Sequence, residues 1–246
     1  MSDIKTRPGR AAIPAPELDA LTFCDGGPID KQVYNTIRRA MISGAIQPGA
    51  RVSSRSIAAS LGVSTMPVRE ALKRLESDGS LESSMKSAYF VPRPSAAEYA
   101  EILEIRLKLE VLLARAAVPQ IKVEDIDKIA WLQERIVQSK NWRQVLNYNQ
   151  QMHFSLYAAA NMPYVLALVE NVWVRSGPVL HMIYESHLGT STLDSHYAII
   201  EGLRRRDADR VAAAIEADLS DAGNVIIDLL ETVQPRGPGP GTPDDP

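Results

Sequence analysis

The sequence predicts a mainly α-helical protein made of an N-terminal winged helix-turn-helix and a C-terminal antiparallel bundle of about six helices. Three observations support this. Apolar residues recur at helical spacing over most of residues 30–232. A basic part, residues 30–94 with net charge +5, precedes an acidic part, residues 95–246 with net charge −7. A β-prone stretch with a polar centre follows the third predicted helix.

Composition limits the class of protein. The 246 residues, 45% of them hydrophobic, suit one large domain or two ordinary ones. The single cysteine, Cys24, excludes a disulfide framework within one chain and fits a reducing cytoplasm. No run of 18 apolar residues and no secretory apolar region occurs, so we expect a cytoplasmic protein without membrane contact. Residues 1–29 and the Pro/Gly-rich residues 233–246 are expected to be a disordered arm and a disordered tail.

Two short helices and a turn are predicted at the start of the basic part, residues 30–94. The first helix spans residues 30–45, and Gly44 ends it. Pro48 and Gly49 suit the central positions of a type II turn. A second helix follows, with Ser54 as its N-cap and Gly62 as its end.

The third helix is predicted over residues 65–78, within "GVSTMPVREALKRLESDG". Ser64 is an expected N-cap whose hydroxyl accepts a bond from a first-turn N–H group. Pro67 falls in the first turn, where backbone N–H groups have no helical partner to lose. Val68, Leu72 and Leu75 form one apolar stripe. The opposite face carries Thr65, Met66, Arg69 and Lys73.

The segment "SLESSMKSAYFVPR" has β-prone ends around a polar centre and is predicted to be a two-stranded wing. The order helix, turn, helix, tight turn, helix, hairpin is that of a winged helix-turn-helix. In such modules the second helix of the motif enters the major groove of DNA with its N-terminal residues against the bases. We therefore interpret the basic face of the third helix as a DNA-binding surface rather than an ordinary solvated face.

The acidic part, residues 95–232, is predicted to be entirely helical and to form an antiparallel bundle. The predicted helices span residues 96–118, 124–140, 141–160, 163–187, 191–206 and 208–232. Gly177 and Pro178 are expected to kink or break the fourth of these. Asp207 is the expected cap of the last.

Residues 30 to about 230 resemble the GntR family of bacterial transcription factors. The segments "PGARV", "LGVS", "PVREAL.RLE.DG" and the wing occur in the family's order. The helical half looks like the effector domain of the FadR subfamily, the FCD type, through "EILEIRLKLE", "QMHF…AAAN" and "DSHYAIIEGLRRRDADRVAAAI". The resemblance implies a homodimeric regulator, usually a repressor, that binds a palindromic double-stranded operator and responds to a small carboxylate-bearing metabolite.

Position by position, the resemblance assigns DNA contacts. The residues are Arg55, Ser64, Thr65, Met66, Arg69, Lys73 and, at the tip of the wing, Lys86. Arg69 is the expected base reader, because a bidentate arginine–guanine pair is the commonest specific contact. Thr65 and Ser87 depart from the family, which often has arginine and glycine at these positions.

The resemblance also assigns a metal and effector site. Its residues are Asn149, His153, His196 and Asp218, where metal-binding relatives commonly have an aspartate and three histidines. Two histidines and a carboxylate can hold Zn²⁺, Ni²⁺ or Mn²⁺. The alternative is a metal-free polar pocket in which these groups bond to one another, to water or to the effector.

Further residues are assigned to the effector site on weaker grounds. Arg106 either faces the pocket, where it suits an anionic effector, or pairs with Glu110 one turn later. Arg175, His181 and His187 are further candidates for the pocket lining. A metal-dependent enzyme built on His153, His196 and Asp218 is the alternative from another class of protein, but the sequence has no GxSxG or HExxH motif.

Overall fold

The computed structural model describes residues 27–84, 88–185 and 192–233. The first of these ranges and the strand that follows it form a three-helix module with a small sheet. Its elements, in chain order, are α1 (Ile29–Ile42), β1 (Arg51–Val52), α2 (Ser54–Leu61), α3 (Thr65–Ser77), β2 (Glu82–Ser84) and β3 (Ala88–Phe90). The mainly helical class and the N-terminal helix-turn-helix are confirmed.

Local sequence rules explain the turns of this module. The Ala50 amide donates to the Gln47 carbonyl across Pro48 and Gly49, and Gly49 has φ +74°, as a type II turn requires. Gly62 has φ +66° and ends α2 in the left-handed conformation. Between α2 and α3 the chain therefore turns within three residues.

Both predicted serine caps need correction. The N-cap of α2 is Ser53, whose Oγ accepts from the Ser56 amide at 3.1 Å, and Ser54 is the first helical residue. Ser64 does occupy the N-cap position of α3, but its side chain makes no capping bond. Its hydroxyl is therefore not used to begin the helix.

The sheet has one strand more than the sequence predicted. β3 lies between β2 and β1 and is antiparallel to both, with Ser83 opposite Tyr89 and Arg51 opposite Phe90. β1 has only two residues, so its strand conformation depends on pairing with β3 rather than on any local pattern. The tip of the wing, with Lys86 and Ser87, lies outside the described residues.

The rest of the chain is helical. The helices are α4 (Ala96–Ala117), α5 (Val123–Gln138), α6 (Trp142–Ala158), α7 (Pro163–Ser176), α8 (His181–Glu185), α9 (Thr192–Arg205) and α10 (Ala208–Val233). A 3₁₀ turn, Gly177–Val179, separates α7 from α8, so the predicted fourth helix is broken at its Gly-Pro pair. α10 packs along α4 and α9, and α5 packs along α6 and α9.

Side-chain caps fix the starts of two long helices in this bundle. Ser95 and Glu98 form a capping box at the start of α4. The Asp207 carboxylate accepts from the Arg210 amide at 3.0 Å, which confirms the predicted cap of α10. No described helix is long and apolar enough to cross a membrane.

The module and the bundle are in direct contact through α1 and α7. Gly177, at the end of α7, lies against the carbonyl oxygens of Met41 and Ile42 at the end of α1, and a Cβ atom at Gly177 would clash with both. This close backbone approach requires glycine. The helical bundle therefore packs closely against α1, the first helix of the winged module.

Candidate functional site

The described residues predicted to contact DNA all lie at the surface. Arg55 is exposed in the first turn of α2, and Ser64, Thr65, Met66 and Arg69 are exposed along the first two turns of α3. Met66 keeps 66% of its surface exposed, which is unusual for an apolar side chain on a helix with a buried face. Val68, Ala71, Leu72 and Leu75 bury the other side of α3. The tip of α3 is thus presented outward on a fixed base.

Lys73 differs from the other basic residues of α3. Its ammonium group forms an ion pair with Glu70 at 3.1 Å, and both side chains are more than half exposed. Exposed pairs of this kind contribute little and are easily exchanged for another anion. Lys73 thus remains accessible to a phosphate, but a base edge is a less suitable partner for it than for Arg69.

The bundle brings three of the four predicted metal ligands together. His153 on α6, His196 on α9 and Asp218 on α10 are all buried, and their candidate ligand atoms lie within 4.8 Å of one another. His153 Nε2 is 3.4 Å from one carboxylate oxygen of Asp218, and His196 Nε2 is 3.2 Å from the other. We call these three residues the His–His–Asp cluster.

Hydrogen bonds on the far side of each ring fix where its proton lies. The Tyr157 hydroxyl donates to Glu110 at 2.7 Å, so its oxygen accepts from His153 Nδ1 at 3.0 Å. His196 Nδ1 donates to the side-chain oxygen of Gln133 at 2.7 Å. Whenever a ring is neutral, its Nε2 atom therefore carries a lone pair that faces Asp218. Among the described residues, His196 Nε2 has no hydrogen-bond partner by geometry.

The electrostatics of the cluster keep the His153 ring neutral and the Asp218 carboxylate charged. Burial lowers the pKa of His153 to about 4 and outweighs the attraction of Asp218. Burial alone would raise the pKa of Asp218, but the two histidine rings and Arg106 outweigh it and lower that pKa. Burial and the neighbouring Glu110 raise the pKa of Tyr157, which keeps its proton. The neutral His153 ring consequently turns its Nε2 lone pair toward the negatively charged Asp218 carboxylate.

The cluster borders a small cavity of about 30 Å³. Its lining residues are Arg106, Leu146, Asn149, His153, Trp173, Leu180, Ile183, Asp218, Leu219 and Ala222. Asn149 is therefore beside the cluster, as predicted. The position of Arg106 is compatible with both of its expected roles. It lines the cavity, and it also pairs with Glu110 at 2.6 Å. The guanidinium of Arg106 lies 4.5 Å from the centre of the Trp173 ring.

Neither Arg175 nor His181, both candidates for the pocket lining, lines the cavity. Arg175 is exposed and donates to the backbone oxygen of Asp78 at 3.1 Å, in the winged module. Two positions after Trp173 on the same helix, its side chain points to another face of α7. His181 Nδ1 lies 2.7 Å from the Pro178 oxygen, and His181 belongs to neither the cluster nor the lining. His187 lies outside the described residues.

Sequence reasoning missed the residues that hold the ligands in place. Tyr157 follows His153 by one helical turn, so its position on the same face could have been found. Gln133 comes from α5, 63 residues before His196, and no local pattern connects the two. Trp173 is 1% exposed, and its ring centre is 5.6 Å from that of His153.

Comparisons with known proteins agree with this arrangement. Residues 29–91 match the family described as bacterial regulatory proteins, gntR family, and residues 101–221 match the FCD domain. The two matches cover the winged module and most of the helical bundle.

Individual relatives point to the same family. The HTH-type transcriptional regulator McbR of Escherichia coli K12 is 32% identical over 185 residues, which is 72% of this chain and 83% of McbR. The solved structure of E. coli McbR/YncC superposes with a TM-score of 0.75 at 28% identity and covers 84% of this chain and 99% of that one. A GntR regulator structure from Rhodococcus sp. RHA1 shares the fold, with a TM-score of 0.69 at 23% identity, 81% of this chain and 98% of that one.

These relatives are transcriptional regulators, so the interpretation of the His–His–Asp cluster as the centre of an enzyme is not supported. The order of the two matched domains is that of the sequence-based prediction. The chain belongs to the GntR family of bacterial transcriptional regulators, with an FCD domain after its DNA-binding domain.

Proposed function

We propose that this regulator binds a palindromic operator as a homodimer. We further propose that a small carboxylate-bearing metabolite, bound together with a divalent metal at the His–His–Asp cluster, changes its operator affinity. The single observation that supports a bound metal is the orientation of the two histidine rings. Both Nδ1–H groups are held by other side chains, so in their neutral forms both rings turn an Nε2 lone pair toward the Asp218 carboxylate.

This arrangement is repulsive without a cation and is the usual one around a metal. Metal-bound histidines almost always donate their second ring N–H to a hydrogen-bond acceptor, which fixes the tautomer. Tyr157 and Gln133 fill that role for His153 and His196. Two imidazoles and one carboxylate suit Zn²⁺, Ni²⁺ or Mn²⁺ and leave positions for other ligands. Asn149 adds a neutral amide oxygen to the same cavity.

The charges of the residues around the cavity favour binding of a carboxylate effector only when the metal is present. The Arg106 guanidinium, the expected anion-binding group, is already paired with Glu110. Arg106 and Glu110 offset each other in charge, and the Asp218 carboxylate remains as a negative group beside the cavity. A divalent cation would offset that negative charge and let a carboxylate bind through the metal. We therefore expect effector binding to depend on metal.

The cavity must also change shape when the effector binds. About 30 Å³ holds one or two water molecules, which is far less than an organic acid occupies. Leu180, just before the short helix α8, and Ile183, within α8, line the cavity. Effector binding therefore favours a more open arrangement of the bundle, as regulation through two states requires.

For the DNA side, we propose that the exposed tip of α3 reads the bases. Arg69 pairs with guanine, and Ser64, Thr65 and Met66 set the remaining preference at the tip. Arg55 and Lys73 bind phosphates, and Lys86 extends the contact through the wing. Since Thr65 replaces an arginine common in relatives, we expect an operator different from theirs.

For the dimer, we propose an interface built on α4 and α7, which pack against each other. α4 exposes Ile105 and Leu112, seven residues apart on one face, and α7 exposes Tyr164 and Leu168, four residues apart. Exposed apolar patches of this kind are typical of subunit contacts. Sedimentation of the Leu112→Glu variant should show dissociation, while Trp131→Glu, on the exposed face of α5, should remain dimeric.

One experiment tests the regulatory proposal as a whole. DNA bound by the protein is selected from a random pool, and its binding is then titrated with a panel of small carboxylic acids. The titration uses Zn²⁺-loaded and chelator-treated protein in parallel. We expect a palindromic sequence, and at least one acid that changes affinity only with metal. An acid that acts equally on both preparations would remove the metal from the proposal.

A further inference from the structure

Two contacts from other parts of the chain hold the C-terminal end of α3. Asp78 directly follows this helix. The Tyr34 hydroxyl of α1 donates to the Asp78 carboxylate at 2.6 Å. The Arg175 guanidinium of α7 donates to the Asp78 backbone oxygen at 3.1 Å, across 97 residues of sequence. The first contact is internal to the winged module, whereas the second comes from the effector domain.

A second route connects α7 to the same point. Arg38 of α1 donates to the Tyr34 hydroxyl at 3.1 Å, and its other terminal nitrogen is 3.7 Å from the Glu170 carboxylate of α7. The guanidinium of Arg74, on α3, lies 4.1 Å from the centre of the Tyr34 ring. Glu170 is therefore connected to the end of α3 through other side chains, whereas Arg175 bonds to it directly.

The same helix touches the His–His–Asp cluster with its buried face. Trp173 lies between Glu170 and Arg175 in sequence, and its ring packs beside His153 at 5.6 Å and under Arg106 at 4.5 Å. Because the buried ring packs closely against His153 and Arg106, a movement of Trp173 that enlarges the cavity is expected to displace α7. Because α7 is one continuous helix, that displacement reaches Arg175 within a single turn.

Local chemistry favours an arginine in this position. The last carbonyl groups of a helix have no partner within the helix and carry a partial negative charge, which a cation offsets. Gly79 leaves room for the guanidinium, since a Cβ atom there would lie 2.7 Å from the terminal nitrogen of Arg175. Gly79 also has φ +68°, so it serves the turn and the contact together.

We propose that Arg175 is a positioning residue that couples the His–His–Asp cluster to the DNA-reading helix α3, by holding the end of α3 to α7. This inference rests on the proposed metal and effector site. It assigns the coupling between that site and α3 to one contact between the two domains. The ligand changes the position of Trp173, α7 carries the change, and Arg175 passes it to Asp78.

The test compares wild type with Arg175→Ala, with Arg175→Lys and with Arg210→Ala as the matched control. Arg210 is an exposed arginine of α10 that pairs with Glu201 and touches neither the cavity lining nor α3. Zn²⁺ binding is measured by calorimetry. Affinity for DNA selected by the wild type is measured by fluorescence anisotropy with and without Zn²⁺, and folding by thermal melting.

We expect Zn²⁺ to change the DNA affinity of wild type and of Arg210→Ala by at least about fivefold. In Arg175→Ala the change should fall below about twofold, although Zn²⁺ still binds with wild-type affinity. Arg175→Lys should restore part of it, because an ammonium group also complements a helix end. A structural role alone would lower stability or DNA affinity without altering the ratio between the two Zn²⁺ conditions.

Two results would overturn the proposal. One is Zn²⁺ binding without any effect on DNA affinity in wild type, and the other is the same Zn²⁺ effect in Arg175→Ala as in wild type. If Zn²⁺ does not bind at all, the metal part of the proposed function fails instead. Coupling is then measured by combining Asp218→Asn with Arg175→Ala in a double-mutant cycle on DNA affinity. Independent effects in that cycle would also overturn the role of Arg175, and coupled effects would support it.

Discussion

The two candidate sites of this regulator are built in opposite ways. The surface of α3 carries its functional side chains outward, all within residues 64–73 of one continuous segment. The His–His–Asp cluster draws its groups inward from α6, α9 and α10, and its supporting bonds come from α4 and α5 as well. One site can be altered residue by residue, whereas the other is part of the core.

Because of this difference, substitutions at the two sites are expected to affect function and stability in different ways. Substitutions on the exposed tip of α3 should remove the proposed contacts with DNA and leave the fold unchanged. Substitutions in the cluster should change the proposed ligand binding and the packing together, because buried polar groups there satisfy one another. The predictions below test that contrast, from the largest expected effect to the smallest.

Glu110→Ala should destabilise the protein most. Glu110 is fully buried, pairs with Arg106 and accepts from Tyr157. Its removal leaves a buried charge without a partner, which costs about 3–5 kcal/mol of unfolding free energy. Urea unfolding measures the loss. The double variant Arg106→Met with Glu110→Leu should recover most of it, and failure to do so would mean that Arg106 is not the stranded charge.

Arg69→Ala should weaken specific DNA binding without affecting the fold. Loss of a bidentate base contact costs about 1–3 kcal/mol, or roughly fivefold to 150-fold in affinity. Lys73→Ala is the control, since a phosphate contact changes affinity equally for all sequences and lowers the salt dependence by about one ion. Anisotropy on selected and scrambled DNA separates the two. Equal loss on both DNAs for Arg69→Ala would contradict base reading.

Gln133→Met tests whether the hydrogen bond behind His196 belongs to the metal site. It removes the acceptor of His196 Nδ1 at nearly constant volume. Such a loss should reduce Zn²⁺ affinity about 10-fold to 100-fold, because the ring no longer has a fixed tautomer. Calorimetry gives the affinity. Gln144→Met, an exposed position on α6, should leave it unchanged, and a similar loss in both variants would exclude this role for Gln133.

The pH dependence of metal-free stability should show the smallest effect. Burial lowers the pKa of His153 from 6.5 to about 4, so the unfolded chain binds more protons between these values. Stability is then full above about pH 6.5 and falls as the pH decreases toward 4. Between pH 7 and 6 we expect a loss of less than about 1 kcal/mol. A His153→Gln variant should lose this contribution, and an unchanged profile would show that another group carries it.

Local sequence rules predict most, but not all, of the local features. The turn at Pro48 and Gly49, the break at Gly177 and Pro178, and the cap at Asp207 are confirmed, whereas the equally local caps at Ser54 and Ser64 are wrong. The strand β1 was missed because two residues carry no pattern of their own and become a strand only by pairing with β3.

The His–His–Asp cluster was predicted from a family resemblance. The residues around it show what such a resemblance does not predict. Matching positions identified His153, His196 and Asp218, whereas Arg175, added to the pocket on weaker grounds, does not line the cavity. A shift of two residues on a helix turns a side chain by about 200°, so Trp173 faces the cavity and Arg175 faces the winged module. Only the packing of α7 between both parts reveals which of the two faces inward.

The contact of Arg175 with Asp78 lies at the opposite end of α3 from the residues proposed to touch the bases. Thirteen residues make a rod of about 20 Å. If the anchored end pivots by about 3°, the free tip moves by about 1 Å over that length, which is enough to misalign a bidentate hydrogen bond. This geometry acts as a lever arm, and a change at the cluster too small to rearrange the bundle can be magnified where α3 meets the groove.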